Sequence, residues 1–465
     1  MSDSKNNPPI INSNQQANKS SNISYFKLKF EDIIIIKQNF VIVEMGKLAR
    51  KVALVGAGMS TFGRHFPAKR NPDLWIDAWL DAVKKTDKGI EPKDVDACYV
   101  GNFSSDLFNH QGHLGPQMAN LVGLTPKPAA RFEGACASSG IALRQAILAI
   151  ASGIHDVIAV CGCECMTEQP TVNVTDALAT ASDNIFEYPA GATFPGLYGT
   201  LASAHFKKYG TTPEDLMRIG IKNHNNGAEN PFAQMQETIK HMMESKMAKY
   251  EKQGRGVPEW HDEFDFLKSS SNPIIAYPLR LFDCSLITDG AACLFLAAED
   301  VAKNYTEEPI WIAGTGQGSA ALSLHDRETL TSFIATKEAS RQAYEMAGVG
   351  PQDIQVCEIH DCFTIAELVA LEDLGFYEPG KAAEAIANGE TALDGSLPIN
   401  TSGGLKSKGH PVGATGAAQA VEIFKQMRGI AERNRQVKFN VNTAMTHNLG
   451  GSGGTCVVTI YQKEV

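Results

Sequence analysis

Three short segments carry residue types that could do covalent chemistry. The first is GACASSG, which places Cys136 in a turn of small residues. The second is HDCF, with His360 and Cys362, and the third is GHPVG, with His410. A histidine can remove the proton of a thiol, and N–H groups can then stabilise the oxyanion that forms when the sulfur attacks a carbonyl. The three segments together therefore predict a cysteine nucleophile.

Cys136 is the candidate nucleophile because of the element that follows it. The sequence predicts a helix over residues 141–151, so the thiol lies just before a helix N-terminus. The positive end of the helix dipole lowers the pKa of a thiol in that position. The alternative is a buried structural cysteine, because most free cysteines simply pack as small apolar residues.

The two histidines lie in loops that resemble catalytic positions. His410 follows the glycine-rich TSGGL and precedes a second small-residue helix start, which repeats the arrangement around Cys136. His360 and Cys362 follow a strand predicted over 356–359, and α/β proteins place catalytic groups at strand ends. A single histidine in such a loop is more often structural. Three such loops favour a shared site.

Two further motifs are weighed and set aside. CGCEC, from Cys161 to Cys165, puts alternate cysteines on one strand face, but zinc sites use separated ligand pairs. Strand packing is favoured there, and no metal is expected. Gly56-Ala57-Gly58 suggests a dinucleotide fingerprint, but Thr61 stands where its third glycine would be. No nucleotide cofactor is expected either.

Short apolar runs alternate with helical stretches along the chain, and these elements must position the three loops. Such alternation predicts α/β layers. Two internal echoes suggest a duplication. PKDVDACYV, from Pro92, resembles PQDIQVCEI, from Pro351, and the helix after Cys136 resembles the helix after His410. Echoes in the same order indicate a repeated α/β unit. Residues 166–280 are polar and read as an insertion over the sheet.

Composition excludes some classes of function. The net charge of −10 argues against a nucleic-acid surface, and no run approaches the ~18 apolar residues of a membrane span. Ten cysteines in a chain of this length suggest reduced thiols and a cytoplasmic location. Residues 1–44 begin as a low-complexity stretch and are predicted to be dispensable, with Met45 as the start of the folded unit. A mitochondrial presequence is disfavoured because these residues contain no arginine.

As a set, these motifs resemble the thiolase superfamily, in particular its sterol-carrier-protein-type and archaeal-like members. The resemblance runs from about Ala53 to Ile460. It implies an α/β thiolase fold of two duplicated βαβαβαββ halves in a five-layer α-β-α-β-α arrangement. The implied boundaries are an extension over 1–44, an N-terminal half over 45–165 and 281–305, a loop domain over 166–280 and a C-terminal half over 306–465.

The resemblance also implies roles for single residues. Cys136 falls at the acylated nucleophile, and His410 activates it and contributes to an oxyanion hole. His360 falls where other members carry the asparagine of NEAF. Ser285, in DCSLITDGA, is expected beside the pantetheine arm. Gly450 is expected to offer its backbone N–H to the second oxyanion hole, together with that of Cys136.

One departure from the family pattern concerns the second reactive cysteine. Most members carry it in a C-terminal CxG motif, where this chain has Asn448. In this subgroup the cysteine of HDCF, here Cys362, is expected to be the acid/base, with His360 holding a thioester oxygen. An amide does not titrate in the useful range, so Asn448 cannot replace the thiol.

The implied activity is acyl transfer through a cysteine thioester, either Claisen condensation of acyl-CoA or thiolysis of 3-oxoacyl-CoA, in lipid or fatty acid metabolism. CoA is a substrate, with no cofactor and no metal. A homodimer or homotetramer is expected, with a possible small zinc-ribbon/OB-fold partner protein. The alternatives are a related condensing enzyme, such as a 3-hydroxy-3-methylglutaryl-CoA synthase, or a non-catalytic acyl-CoA-binding scaffold. Cys362 favours a thiolase, because the condensing enzymes typically lack a second acid/base cysteine.

Overall fold

The computed structural model of the protein describes residues 47–464. The predicted dispensable extension over 1–44 and the predicted start at Met45 lie outside the described residues. Within them, no helix is both long enough and apolar enough to cross a lipid bilayer.

The strands of the described residues are eleven, numbered in chain order. They are β1 Val52–Met59, β2 Ala97–Gly101, β3 Ala129–Phe132, β4 Val157–Glu164, β5 Ile274–Ala276, β6 Leu279–Arg280, β7 Gly290–Ala298, β8 Ile310–Ser319, β9 Val356–Ile359, β10 Thr443–Gly450 and β11 Thr455–Gln462.

The α-helices of the same part of the chain are fifteen, and several are a single turn. They are α1 Asn71–Lys84, α2 Ser105–Asn109, α3 Leu114–Leu121, α4 Ser138–Ala151, α5 Thr171–Ala179, α6 Phe194–Tyr209, α7 Pro213–Ala228, α8 Ile239–Lys252, α9 Glu263–Lys268, α10 Glu299–Ala302, α11 Ile334–Ala347, α12 Thr364–Asp373, α13 Ala382–Ala387, α14 Gly404–Ser407 and α15 Thr415–Arg428.

The sheet shows that the chain is a duplication. Its order is β3-β2-β4-β7-β1-β8-β11-β10-β9. On one side β1, β7 and β4 are antiparallel neighbours, and β4, β2 and β3 are parallel. On the other side β8, β11 and β10 repeat the antiparallel run, and β9 is parallel to β10. The two halves meet where β1 and β8 pair, antiparallel, through only two residue pairs.

Both internal echoes correspond to equivalent elements. The segments that begin at Pro92 and Pro351 each form a short 3-10 turn followed by a strand, β2 in one half and β9 in the other. The helices after Cys136 and His410 are α4 and α15, and each follows a 3-10 turn. The predicted duplication is confirmed.

Three hydrophobic cores separate five layers. Alternate residues of β1 face opposite ways, with Leu54 in the central core and Val55 in an outer one. The central core contains α4 and α15 between the strands of the two halves. One outer core packs α1 and α3 on the first half, and the other packs α11 and α12 on the second. Cys161 and Cys163 pack in the first outer core, as predicted for the CGCEC strand.

Glycines let a helix approach the C-terminal half closely. Gly314, Gly316 and Gly318 lie at alternate positions of β8, and a Cβ on any of them would come within 2.3 Å of a backbone oxygen of α11. The oxygens belong to alanines spaced four residues apart, the last of them Ala343. The helix therefore lies directly on the strand backbone, without side chains between them.

The segment over residues 166–280 holds helices α5 to α9 and the β5–β6 hairpin. Its longer helices are α6, α7 and α8. The boundaries assigned to this insertion and to the halves stay predictions.

Candidate active site

Cys136 lies in the 3-10 turn Ala135–Ala137, directly before α4. Cys136 is half-buried, and it faces a cavity rather than open solvent. Ala135 has a φ of 52°, in the left-handed region that non-glycine residues rarely adopt. The Ser138 hydroxyl donates to the Ala135 carbonyl at 2.6 Å, and it accepts from the Gly134 N–H at 3.1 Å. These bonds hold the strained turn.

The pKa of the Cys136 thiol differs from the sequence prediction. Burial raises the pKa, the neighbouring Cys362 raises it further, and the Gly451 backbone N–H lowers it by less. The expected lowering by the helix N-terminus is therefore wrong for the protein at rest, because desolvation of the thiolate dominates. Cys136 is a neutral thiol near pH 7, and its attack needs a base.

His410 supplies a neutral imidazole. Its Nδ1 lies 2.6 Å from the Thr415 hydroxyl, which itself donates to the Pro411 carbonyl at 3.1 Å. The hydroxyl has one proton, so it accepts from Nδ1–H, and the lone pair of His410 is on Nε2. Burial, with the nearby charges of Lys406 and Lys408, lowers the pKa of His410 to about 3. The ring is thus neutral, and its Nε2 can accept a proton.

The structure brings His360 to the same place. The sulfur of Cys136 and one ring nitrogen each of His360 and His410 lie within 4.8 Å of one another. The two imidazoles meet edge to face, with centroids 5.1 Å apart. Both Nε2 atoms are buried and have no hydrogen-bond partner among the described residues. Two buried polar atoms without partners are costly, which indicates that a ligand satisfies them.

The same three atoms could also hold a metal ion, because sulfur and imidazole nitrogens are zinc ligands. Zinc bound there would occupy the lone pair of the sulfur that has to attack. A metal would therefore block nucleophilic catalysis at Cys136 rather than assist it.

Cys362 lies just beyond β9, buried against α6. Burial raises its pKa to about 12, although the hydroxyl of Tyr198 and the charge of Lys406 lower it. Burial therefore dominates, and Cys362 is a neutral thiol in the resting protein. The Cys362 carbonyl accepts from Lys406 Nζ at 3.0 Å and from the Ser285 N–H at 2.9 Å. These two bonds fix the HDCF loop.

One cavity of about 300 Å³ joins these groups. Its lining is mostly apolar and includes Cys136, Cys362, His410 and the predicted Ser285. Gly451 also lines it, whereas Gly450 lines a neighbouring cavity. His360 is fully buried behind this lining.

Sequence reasoning missed several groups at the site. The Gly451 N–H contacts Cys136, the Tyr198 hydroxyl contacts Cys362, and the Thr415 hydroxyl contacts His410. No sequence motif distinguishes these three from other residues of the same type. Asn448 was noted only for what it replaces. In the structure its amide contacts both the Cys136 carbonyl, at 3.0 Å, and His360 Nδ1, at 3.3 Å. Of the four predicted residues, Cys136, Cys362 and His410 line one cavity, and His360 lies buried beside Cys136 and His410.

Comparison with known proteins matches nearly the whole described chain. The family model for the thiolase N-terminal domain matches residues 52–300, and that for the thiolase C-terminal domain-like family matches residues 316–463. The chain is 43% identical to an acetyl-CoA acetyltransferase of Methanothermobacter thermautotrophicus, over 89% of this chain and 100% of that protein. It is 30% identical to sterol carrier protein 2 of Bos taurus, over 91% of this chain and 74% of that protein.

Among solved structures, the Ltp2-ChsH2(DUF35) aldolase matches with a TM-score of 0.71, over 90% of this chain and 99% of that one. The sequence identity is 24%, so this match concerns the fold alone. It agrees with the five layers and the duplicated halves described above.

Proposed function

The chain belongs to the thiolase family, and from that premise we propose that it transfers acetyl groups between CoA thioesters through a thioester on Cys136. It is an acyltransferase with a thiolase function. The observation that carries the proposal is the meeting of one thiol and two imidazole nitrogens within 4.8 Å at an apolar cavity. The acetyl group as substrate is supported by the 43% identity to an acetyl-CoA acetyltransferase.

The first half-reaction acylates Cys136. Its sulfur attacks the thioester carbonyl carbon while its proton passes to Nε2 of His410. The carbonyl oxygen becomes an oxyanion, which accepts from N–H donors of the site, with Nε2 of His360 and the Gly451 backbone as candidates and Gly450 as the one implied by the family pattern. The bond to the CoA sulfur then breaks, and the CoA thiolate takes the proton of Cys362.

The second half-reaction uses the groups that the first leaves behind. Cys362 is now a thiolate, and it removes the α-proton of a second acetyl-CoA. The carbanion attacks the acyl carbon on Cys136, the Cys136 sulfur leaves, and His410 returns its proton to that sulfur. Each group ends in its starting state. Because its pKa is raised, Cys362 is protonated in the resting protein. It can therefore give its proton to the CoA thiolate before it acts as the base. Thiolysis is the same sequence in reverse.

Larger assemblies and cellular context are part of the proposal. A homodimer or homotetramer is supported by the family resemblance. A small zinc-ribbon/OB-fold partner protein is supported by the resemblance to archaeal relatives, and one fold neighbour, the Ltp2-ChsH2(DUF35) aldolase, bears the names of two components. We propose a cytoplasmic location because all ten cysteines are free thiols, and a role in lipid metabolism from the family resemblance.

The experiment that tests this function follows acetyl mass and α-proton exchange in parallel. After incubation with acetyl-CoA, the peptide that holds Cys136 should gain one acetyl group. Cys136→Ser should abolish this labelling and all exchange of acetyl-CoA protons in deuterated water. Cys362→Ala is the matched variant: it should keep most of the labelling but lose exchange and condensation. Acetylation at Cys362 alone would refute the assignment of the nucleophile.

A further inference from the structure

We propose that Asn448 is a positioning residue that fixes His360 as the tautomer with its proton on Nε2, so that His360 donates a hydrogen bond to the thioester oxygen. The inference rests on the proposed function for its catalytic consequence, but the tautomer itself follows from hydrogen bonds of the described residues. It gives a role to the position where most thiolases carry their second cysteine.

The orientation of the Asn448 amide is fixed by two backbone groups. The Gly140 N–H can only donate, and it lies 3.2 Å from Oδ1 of Asn448. The Cys136 carbonyl can only accept, and it lies 3.0 Å from Nδ2. Exchanging the oxygen and nitrogen of the amide would place donor against donor and acceptor against acceptor. Oδ1 therefore faces α4, and Nδ2 faces both the Cys136 carbonyl and His360.

This orientation decides the protonation of His360. Nδ2 of Asn448 lies 3.3 Å from Nδ1 of His360 and has a second hydrogen to donate. Nδ1 must then be the acceptor, and a neutral imidazole carries its single proton on Nε2. Burial, with His410 as the next cause, keeps the pKa of His360 well below its usual value, so the ring is neutral. Its Nε2 is the buried atom without a partner.

The two histidines thus have opposite tautomers. Thr415 accepts from Nδ1 of His410 and leaves its Nε2 as a base, whereas Asn448 donates to Nδ1 of His360 and leaves its Nε2 as a donor. One ring takes a proton from Cys136, and the other stabilises negative charge on the substrate oxygen. The different neighbours on Nδ1 divide the work between two chemically identical side chains.

Two glycines leave the space that the Asn448 amide occupies. A Cβ on Gly140 would come within 2.6 Å of Oδ1, and a Cβ on Gly416 within 2.3 Å of it. Gly140 follows Cys136 by four residues, so in a helix that began earlier the Gly140 N–H would bond directly to the Cys136 carbonyl. Here the Asn448 amide bridges these two groups instead. Asn448 therefore links the nucleophile turn, the start of α4 and His360 through one side chain.

The test measures the tautomer directly. In protein with ¹⁵N-labelled histidine rings, the His360 signals, assigned by their loss in His360→Gln, should show a protonated Nε2 and a bare Nδ1. Asn448→Asp offers an acceptor in place of the donor. It should move the proton to Nδ1 and slow acetylation of Cys136 by on the order of 10²–10³, the usual effect of losing an oxyanion-hole donor.

Thr446→Val is the control, because it removes a buried hydroxyl of the same strand whose one hydrogen-bond partner among residues 47–464 is Tyr461, at 3.4 Å. It should keep both the tautomer and the rate. A native His360 with its proton on Nδ1 would overturn the inference, as would Asn448→Asp with an unchanged tautomer. The ring signals do not depend on catalysis, so an absent acetylation in the native protein would instead count against the proposed function.

Discussion

At the scale of single residues, the thiols and imidazoles of the site are neutral in the resting protein. Burial raises the pKa of both Cys136 and Cys362, and it lowers the pKa of His360 and His410. A preformed thiolate–imidazolium pair, as in some cysteine proteases, is thus disfavoured. The proton moves only when a substrate carbonyl is present to receive the charge of the sulfur, which keeps the resting thiol unreactive.

This balance gives a pH dependence with a defined sign. The thiolate of Cys136 forms only above its raised pKa, so its alkylation by iodoacetamide should speed up with pH, with a midpoint above the ordinary thiol value of about 8.5. The rate is read from the mass of the Cys136 peptide, with Cys136→Ser as the background. A rate that is already maximal near pH 7 would show that an ion pair exists at rest.

The sequence was informative about which residues meet and uninformative about their protonation. Cys136, His360, Cys362 and His410 were identified from motifs, because reactive side chains in small-residue loops are distinctive. The pKa shifts were not predicted, because they depend on how completely the insertion, including α6, buries each group. The partners of Nδ1 are also decided by tertiary packing, since Asn448 is 88 residues from His360.

At the scale of elements, α4 and α15 position the nucleophile and its base. Each begins at a turn that presents a reactive side chain, Cys136 or His410, and the two helices pack together in the central core. Their alternation with strands was predictable from hydrophobic patterns. The direct contact of α11 with β8 was not, because a glycine run such as GTGQGS reads equally well as a loop.

That contact yields a prediction about stability. Gly316→Ala places a Cβ 2.0 Å from the Ala339 carbonyl oxygen, so α11 must move away from β8. The free energy of unfolding should fall by about 1–3 kcal/mol, the usual cost of overpacking. Gly196→Ala is the control, because its Cβ meets nothing within 4 Å at the start of α6. The two denaturation midpoints are compared in urea, and equal midpoints would contradict the close approach.

At the scale of the whole molecule, the duplicated topology was predictable, but the strand pairing that joins the two halves was not. The echoes at Pro92 and Pro351 revealed the repeat, because equivalent turns need similar residues. They could not show that β1 and β8 would pair edge to edge through two residue pairs. Pairing between distant strands depends on the twist and packing of complete sheets.

The same sheet leaves β3 at its outer edge, with Ala130 exposed. If two protomers pair along this edge, light scattering should give twice the chain mass of 50.1 kDa at micromolar concentration. Ala130→Asp should then favour the monomer, because charges on an edge strand oppose strand pairing. Ile154→Asp, at a side chain that is 73% exposed and is not part of this edge strand, should leave the mass unchanged. A monomeric native protein would contradict the homodimer.

Asn448 also has a consequence for the order in which the enzyme is made. Synthesis runs from the N-terminus, and the first part of a chain can begin to fold before the rest has emerged. Cys136 leaves the ribosome more than 300 residues before β10 brings Asn448 to its carbonyl. Until then the turn lacks this bond, and both histidines of the site are missing or undocked. The nascent thiol is an ordinary cysteine, and catalytic competence arrives late, with the C-terminal strands β10 and β11 that complete the second half.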